Sequence, residues 1–339
     1  VVSDAFHGLV DRLADWLGAA LADVEAVIVH NVLSLHKNLA FTAALRRLHD
    51  AGRLPRLLAW CHDFAWLDPL YRPELHPGYP WDLLRVPWPR TTYVVVSEDR
   101  RSMLARLLGL PPEAIAVVTP GVDLEGFLKL EPETAGLARE LGLLEADPLL
   151  LLPARVTRRK NIELALAVLG ALRREGRDAR LVVTGPPGPH NPANAAYLAE
   201  LLALRESAGA GEGAIFLYER FTDPEGRPRP VSDAMLADLY RLADGLLFPS
   251  RYEGFGIPTL EAGLAGIPIF CSDIPPLRAT AGDVAVYFGL DEQPGLIARR
   301  IVAALDADPR YRLRRAVRTR YTWEAIYRHK IAPLLAAPA

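Results

Sequence analysis

The chain has 339 residues, beyond the size at which a single hydrophobic core keeps growing, so two domains are expected. Half of the residues are apolar, 24% are charged and the net charge is -2, which argues against a dedicated nucleic-acid surface. The only two cysteines, Cys61 and Cys271, have no partner at metal spacing, and no apolar run reaches the roughly 20 residues that cross a bilayer, so a cytoplasmic protein with reduced core thiols is expected.

The start VVSDAFHG does not read as a signal peptide, and the first helix-like segment covers residues 6–21. Strand-like runs follow at 26–30, 57–60, 93–97 and 116–119, with an amphipathic stretch at 39–48 between the first two. Around 120–150 the turn-rich PGVDLEGF leads through an acidic, helix-prone segment into a new buried strand, marking a domain boundary. Six more strands are predicted at 149–152, 180–184, 214–218, 245–248, 268–271 and 284–288, with amphipathic helices at 163–174, 194–205 and 232–242. This alternation is the signature of parallel α/β layers, so two Rossmann-like, doubly wound domains facing a cleft are expected.

The expected layout is an N-terminal domain over 1–125, a linker over 126–147, a second domain over 148–317 and a C-terminal helix over 318–339. That helix, with Trp323, Ile326, Tyr327 and Ile331 on one side, either caps its own domain or crosses back to the first. Because only one helix-like segment precedes its first strand, the first domain is expected to be incomplete, with a further N-terminal piece of its sheet preceding Val1, the alternative being a naturally small domain.

The most informative stretch is PSRYEGFGIPTLE at 249–261, which leaves a buried strand through a glycine-containing loop and enters a helix at Pro258. Unpaired N–H groups and the positive end of the helix dipole make such a start an anion site suited to a diphosphate. Glu253 and Glu261 place two carboxylates where they can accept hydrogen bonds from sugar hydroxyls. Arg155 and Lys160, in RVTRRKN after the strand at 149–152, supply compensating positive charge from a neighbouring loop. Taken singly, Glu261 also reads as an ordinary helix-start charge and the two cations as a solvated face.

With these residues the chain resembles the retaining nucleotide-sugar glycosyltransferases of family 4, which have the two-domain GT-B fold. The family's Glu-x7-Glu signature is matched by Glu253 and Glu261 within EGFGIPTLEA, and its basic pair by Arg155 and Lys160. Weaker matches run through VSEDRRSMLARLLGL, VVTPGVDLEGF, Gly185 after LVVT, and LYRLADGLLFPSRYEGFG. The resemblance implies a UDP- or GDP-hexose donor and an α-linked product, with Glu261 on the nucleotide ribose, Glu253 on the donor hexose, and Arg155 with Lys160 on the diphosphate. It also implies that the backbone of Gly254, Phe255 and Gly256 faces the sugar, with that of Thr259 and Leu260 nearer the phosphate. Glu253 as nucleophile and a front-face reaction without an enzyme nucleophile are equally compatible with these residues. No Asp-x-Asp pair or histidine cluster is present, so no metal and no other cofactor are expected.

In the first half, His62 follows the strand at 57–60 and is expected at the carboxyl edge of its sheet, with Asp63 orienting it or touching the acceptor. The resemblance implies that a histidine at such a strand end lies near the donor sugar. His30 and Asn31, at the end of the strand AVIVH, are further candidates for contact with a hydroxyl acceptor, as are His36, Lys37 and Asn38. The aromatic segment 64–88 reads equally as an acceptor-facing loop or as a packed irregular one. The glycine-rich loop with which the family usually begins is not found. A catalytically inactive sugar-nucleotide-binding protein is the main rival reading. A dehydrogenase is disfavoured because GPPGPH at 185–190 lacks the G-x-G-x-x-G turn, and a phosphorylase because Lys160 is better explained by phosphate. Membrane binding through Arg46, Arg47, Arg53 and Arg56 is a weaker alternative, since dispersed arginines usually form a solvated face.

Overall fold

The fold is taken from a computed structural model that describes residues 2–187 and 193–336, so Gly188, Pro189 and His190 of the GPPGPH segment lie outside the described residues. The chain divides into two compact units, 1–121 with 323–339, and 122–322.

The first unit is built on a parallel sheet in the order β1 (Ala26–His30), β2 (Arg56–Cys61), β3 (Thr91–Val95) and β4 (Ile115–Val117). Helices α1 (Asp4–Ala20), α2 (Leu39–Asp50) and α3 (Glu98–Leu108) join it. Because successive strand residues point to opposite faces, β2 divides its side chains. Leu57, Ala59 and Cys61 enter a core with Val10, Ala14 and Leu17 of α1 and Leu45 and Leu48 of α2. Trp60 turns the other way and joins Val94, Val118 and Ile326. Ile326 comes from the helical run at the chain's end, which the sequence pattern treats as one helix. It is instead Trp323–Ile326, a π-helical turn at Tyr327–Ile331, and Ala332–Ala336. Of its four apolar residues Ile326 is buried and Ile331 packs partly, while Trp323 and Tyr327 are exposed.

The second unit has six parallel strands, β5 (Leu149–Leu152), β6 (Arg180–Val183), β7 (Ala214–Phe216), β8 (Gly245–Phe248), β9 (Ile269–Ser272) and β10 (Val286–Phe288), in the order β10-β9-β8-β5-β6-β7. The chain starts at the centre, runs outward through β6 and β7, then returns to the other side of β5 at β8. That is the doubly wound Rossmann order, with its switch point between β5 and β8, where ligands gather at the carboxyl ends of the strands. Its helices are α4 (Leu124–Leu128), α5 (Pro132–Glu140), α6 (Ile162–Arg174), α7 (Ala193–Ser207), α8 (Leu217–Arg220), α9 (Asp233–Leu242), α10 (Ile257–Ala265), α11 (Pro275–Ala281), α12 (Pro294–Ala307) and α13 (Pro309–Arg320). All four leucines of β5 are buried, as expected for a central strand covered on both faces. The strand expected over 214–218 ends at Phe216, and the chain turns helical at Leu217.

A buried ion pair fixes the amino edge of this sheet. Arg318 of α13 donates to both oxygens of Asp244 at 2.8 and 2.7 Å, and Asp244 Oδ2 accepts the Leu149 N–H at 2.9 Å. Among the described residues no helix is long and apolar enough to cross a membrane.

Candidate active site

The loops that follow β5 and β8 meet at the switch point of the second unit. After β5 the chain makes a short 3-10 turn, Arg158–Lys160, and leaves it through Asn161 at φ 51°. After β8, Arg251 binds the first loop three times: its N–H donates to the Arg159 carbonyl at 2.8 Å, and its guanidinium to Asn161 Oδ1 and Glu163 Oε1, each at 3.0 Å. This stitching places Glu253 against the turn. Lys160 Nζ lies 2.5 Å from Glu253 Oε1, and Arg159 Nη1 lies 3.1 Å from Oε2.

The Lys160 and Glu253 side chains are only 9% and 8% exposed, whereas Arg159 is 40% exposed. Burial pushes the Glu253 carboxyl up, but the hydrogen bond and charge of Lys160, with the charge of Arg159, hold it below the usual carboxylate range. For Lys160, which also lies 4.6 Å from the Phe248 ring centroid, burial outweighs the pairing and the ammonium is pushed down. Two further polar atoms of these loops are buried without a partner among the described residues: Thr157 Oγ1 and Asn161 Nδ2. Unsatisfied groups of this kind are uncommon in folded proteins and suit a site completed by a polar ligand.

Helix α10 starts from Gly256 at φ 99°, a left-handed conformation that glycine adopts without strain. Among the described residues the N–H groups of Gly254, Phe255, Gly256 and Ile257 have no acceptor in the protein. The Thr259 N–H is already donated to the Gly256 carbonyl at 3.0 Å, and its hydroxyl is buried against the same carbonyl and Thr280. The open donors therefore lie earlier than Thr259, and the half-exposed Leu260 contributes no polar side chain. One turn into the helix, Glu261 Oε2 accepts from Tyr240 Oη of α9 at 2.6 Å. Burial and this bond together push the Tyr240 phenol up.

Arg155 is exposed and makes no ion pair among the described residues, so the second cation on Glu253 is Arg159. Gly185 serves Arg155 through the backbone. A Cβ at Gly185 would stand 2.6 Å from the Arg155 N and Cα and from the Ala154 oxygen, so only glycine lets β6 end this close to the loop.

In the first unit, His30 ends β1 level with Trp60 of β2, and His62 follows two residues beyond Trp60. His30 Nδ1 and His62 Nε2 are 3.1 Å apart. Asn31, at φ 59°, turns its Oδ1 to accept the His62 N–H at 2.7 Å and the Asp63 N–H at 3.3 Å. Asp63 pairs at 3.5 Å with Arg100 of α3. Burial, then the neighbouring His62, lowers the His30 pKa from its ordinary value. His36 bonds Glu74 at 2.6 Å, Lys37 lies 4.4 Å from the Tyr71 ring centroid, and Asn38 caps α2. The aromatic segment is packed in part: Phe64 and Trp88 are buried and Trp66 Nε1 donates to the Trp81 carbonyl at 3.2 Å, while Leu70 and Tyr79 are exposed.

Residues 137–319, more than half of the chain and all within the second unit, match the family Glycosyl transferases group 1. The chain belongs to this family. The D-inositol 3-phosphate glycosyltransferase of Xylanimonas cellulosilytica is 31% identical over 240 residues, covering 68% of this chain and 53% of that protein. The corresponding protein of Kineococcus radiotolerans is 32% identical over 208 residues, covering 60% of this chain and 44% of its own length. The serotype-specific mannosyltransferase WbdA of Escherichia coli is 28% identical over 210 residues, or 61% of this chain and 24% of that protein. The chain thus spans about half the length of the inositol-phosphate glycosyltransferases it matches.

For a group 1 glycosyltransferase the sequence pattern picks out Glu253, Glu261 and Lys160 without their partners. Arg159 sits in a run of three cations, and only the 3-10 turn decides which of them reaches Glu253. Tyr240 lies on a separate helix, 21 residues before Glu261, where its apolar surroundings mark it as core. Neither contact has a local sequence signal.

Proposed function

We propose that this chain is a retaining glycosyltransferase that moves a hexose from a UDP- or GDP-hexose to a hydroxyl acceptor and forms an α-glycosidic bond. One observation carries the reading: a buried carboxylate, Glu253, bridged by Lys160 and Arg159 beside four unpaired N–H groups at the start of α10, all at the switch point of a Rossmann sheet. A hexose hydroxyl can donate to Glu253, a ribose hydroxyl to Glu261, and the diphosphate can draw on Lys160, Arg155 and the open backbone donors. Those cations stabilise charge growing on the leaving diphosphate as the glycosidic bond breaks. They also make a metal ion unnecessary in this reading. Within the first unit, His62 is assigned to a sugar hydroxyl, and His30, Asn31 and Asp63 to the acceptor. Two free, buried thiols suit a reducing cytoplasmic setting.

A thermal-shift panel of UDP-, GDP- and ADP-hexoses tests the donor assignment. One base should stabilise the wild type, and Lys160→Ala and Glu261→Ala should lose that response. Equal responses in all three proteins would sink it. Product formed from an α-linked donor should show an α-anomeric coupling constant by NMR, and binding without turnover would favour an inactive binder.

A further inference from the structure

The carboxyl edge of β1 and β2 carries an arrangement that the proposed reaction does not by itself require. Two imidazoles face each other nitrogen to nitrogen, His30 Nδ1 to His62 Nε2 at 3.1 Å, with ring centroids 5.4 Å apart. Between two neutral rings that contact is attractive only when one of the two nitrogens holds a proton and the other offers its lone pair. Each neutral ring carries a single N–H, so the state of one ring dictates that of the other. If His62 Nε2–H donates, His62 Nδ1 is bare and His30 holds its own proton on Nε2. If His30 Nδ1–H donates, His62 holds its proton on Nδ1 and His30 Nε2 is bare. The outer nitrogens of the pair are thus always one donor and one acceptor. A proton taken up at one outer nitrogen is balanced by one transferred along the Nδ1···Nε2 line and one released at the far end.

The surroundings hold this geometry without supplying a competing partner for the line. Asn31 fixes the His62 backbone through its side-chain oxygen, the Trp60 ring lies 5.5 Å from His30, and the parallel register pairs His30 with Trp60, two residues before His62. Asp63, next to His62 in the chain, is paired with Arg100 at 3.5 Å. His30 is the more exposed member and His62 is half-buried.

We infer that His30 is a positioning residue for His62: the two rings share one proton along the Nδ1···Nε2 line, so that His30 sets which face of His62, donor or acceptor, is offered to a ligand. The inference rests on the proposed transfer reaction only for its consequence in turnover. The shared proton itself belongs to the free protein and is observable there.

The test is a ring-nitrogen NMR titration of the full chain in wild type, His30→Asn, His30→Ala and His62→Gln, each checked for its fold by circular dichroism. In the wild type the two rings should titrate as a coupled pair. His62→Gln should move the His30 midpoint upward, because it removes a neighbour that disfavours the second proton. Asparagine can place a hydrogen-bonding group near the former Nδ1, so His30→Asn should keep the His62 ring orientation yet abolish coupled titration, while His30→Ala should lose both. Independent titration of the two rings, with a His30 midpoint unmoved in His62→Gln, overturns the inference. With a donor in hand, His30→Asn should shift a limb of the pH–rate profile and leave KM for the donor within about twofold. A uniform fall in kcat at every pH would show a merely structural role and also overturn it. Coupled rings in a protein that transfers no sugar would defeat the proposed function alone.

Discussion

Replacing Lys160 by methionine keeps most of the side chain's bulk and removes its charge, which turns the Glu253 bridge into a measurable quantity. Burial alone would raise the Glu253 carboxyl, and the ammonium at 2.5 Å with the guanidinium at 3.1 Å reverses that. A pair of unit charges about 4 Å apart attracts by about 4 kcal/mol at an effective dielectric near 20. Part of that gain is offset in the wild type, because burial disfavours the ammonium as well. Arg159 stays on the second oxygen in the variant. The loss should therefore fall below the roughly 3–5 kcal/mol of a fully orphaned buried charge, at about 2–3 kcal/mol.

The sign with pH follows. In the wild type the folded carboxyl titrates below its unfolded value, so its contribution is complete above the unfolded pKa and is lost as the pH falls through the folded one. In Lys160→Met the main lowering contact is lost and the folded pKa should rise from its wild-type position, so the difference between variant and wild type is greatest at neutrality and shrinks in acid as Glu253 becomes protonated in both. All six tryptophans, Trp16, Trp60, Trp66, Trp81, Trp88 and Trp323, lie in the first unit. Urea unfolding followed by circular dichroism should shift in the variant, while the tryptophan transition holds still. Adding Glu253→Gln to Lys160→Met should recover about 1–2 kcal/mol near neutral pH. No recovery would refute the reasoning, since it would mean that Glu253 is not the group left stranded.

Arg318→Met removes one half of a pair whose side chains are 4% and 0% exposed, so it should cost the second unit about 3–5 kcal/mol in urea unfolding, with Asp244→Asn partly rescuing it. Tyr240→Phe deletes the donor at 2.6 Å from Glu261 and should weaken nucleotide binding about fivefold to tenfold by calorimetry, with kcat nearly unchanged. Gly256→Ala forces a side chain onto φ 99° and brings its Cβ to 2.6 Å from Leu277 Cδ2, so a loss of about 1–3 kcal/mol and a weaker donor response in thermal shift are expected.

Much of the second unit is legible in the sequence because its strands are buried on both faces and read as short apolar runs such as the four leucines of β5. The site loops announce themselves by chemistry that a core has no use for: two carboxylates flanking glycines, and cations directly after a strand. What stays hidden depends on backbone turns. Arg158, Arg159 and Lys160 look alike in sequence, and the 3-10 turn sends Arg158 to Glu200 and the other two to Glu253. The imidazole pair is hidden for a similar reason, because His30 and His62 meet only once the β1–β2 register is known. The end of the chain misleads because its apolar spacing promises one regular helix, whereas a π-helical turn interrupts it at Tyr327–Ile331 and only Ile326 of the four apolar residues is buried.

The bridge on Glu253 also bears on what the site prefers to bind. A diphosphate entering beside α10 meets a carboxylate whose two cations are already engaged, so any share of Lys160 it takes leaves Glu253 less satisfied. A ligand that brings a hydroxyl to Glu253 together with phosphate for Lys160 avoids that conflict, because the hydroxyl replaces the ammonium as hydrogen-bond donor. On the proposed reading, a nucleotide sugar should then bind more tightly than the bare nucleotide diphosphate. Glu253→Gln should separate the two, raising affinity for the diphosphate, which no longer competes with a carboxylate, and lowering it for the sugar nucleotide. Calorimetry of both ligands against both proteins reads this directly. Parallel changes for the two ligands would mean that Glu253 fixes the loop and does not touch the sugar.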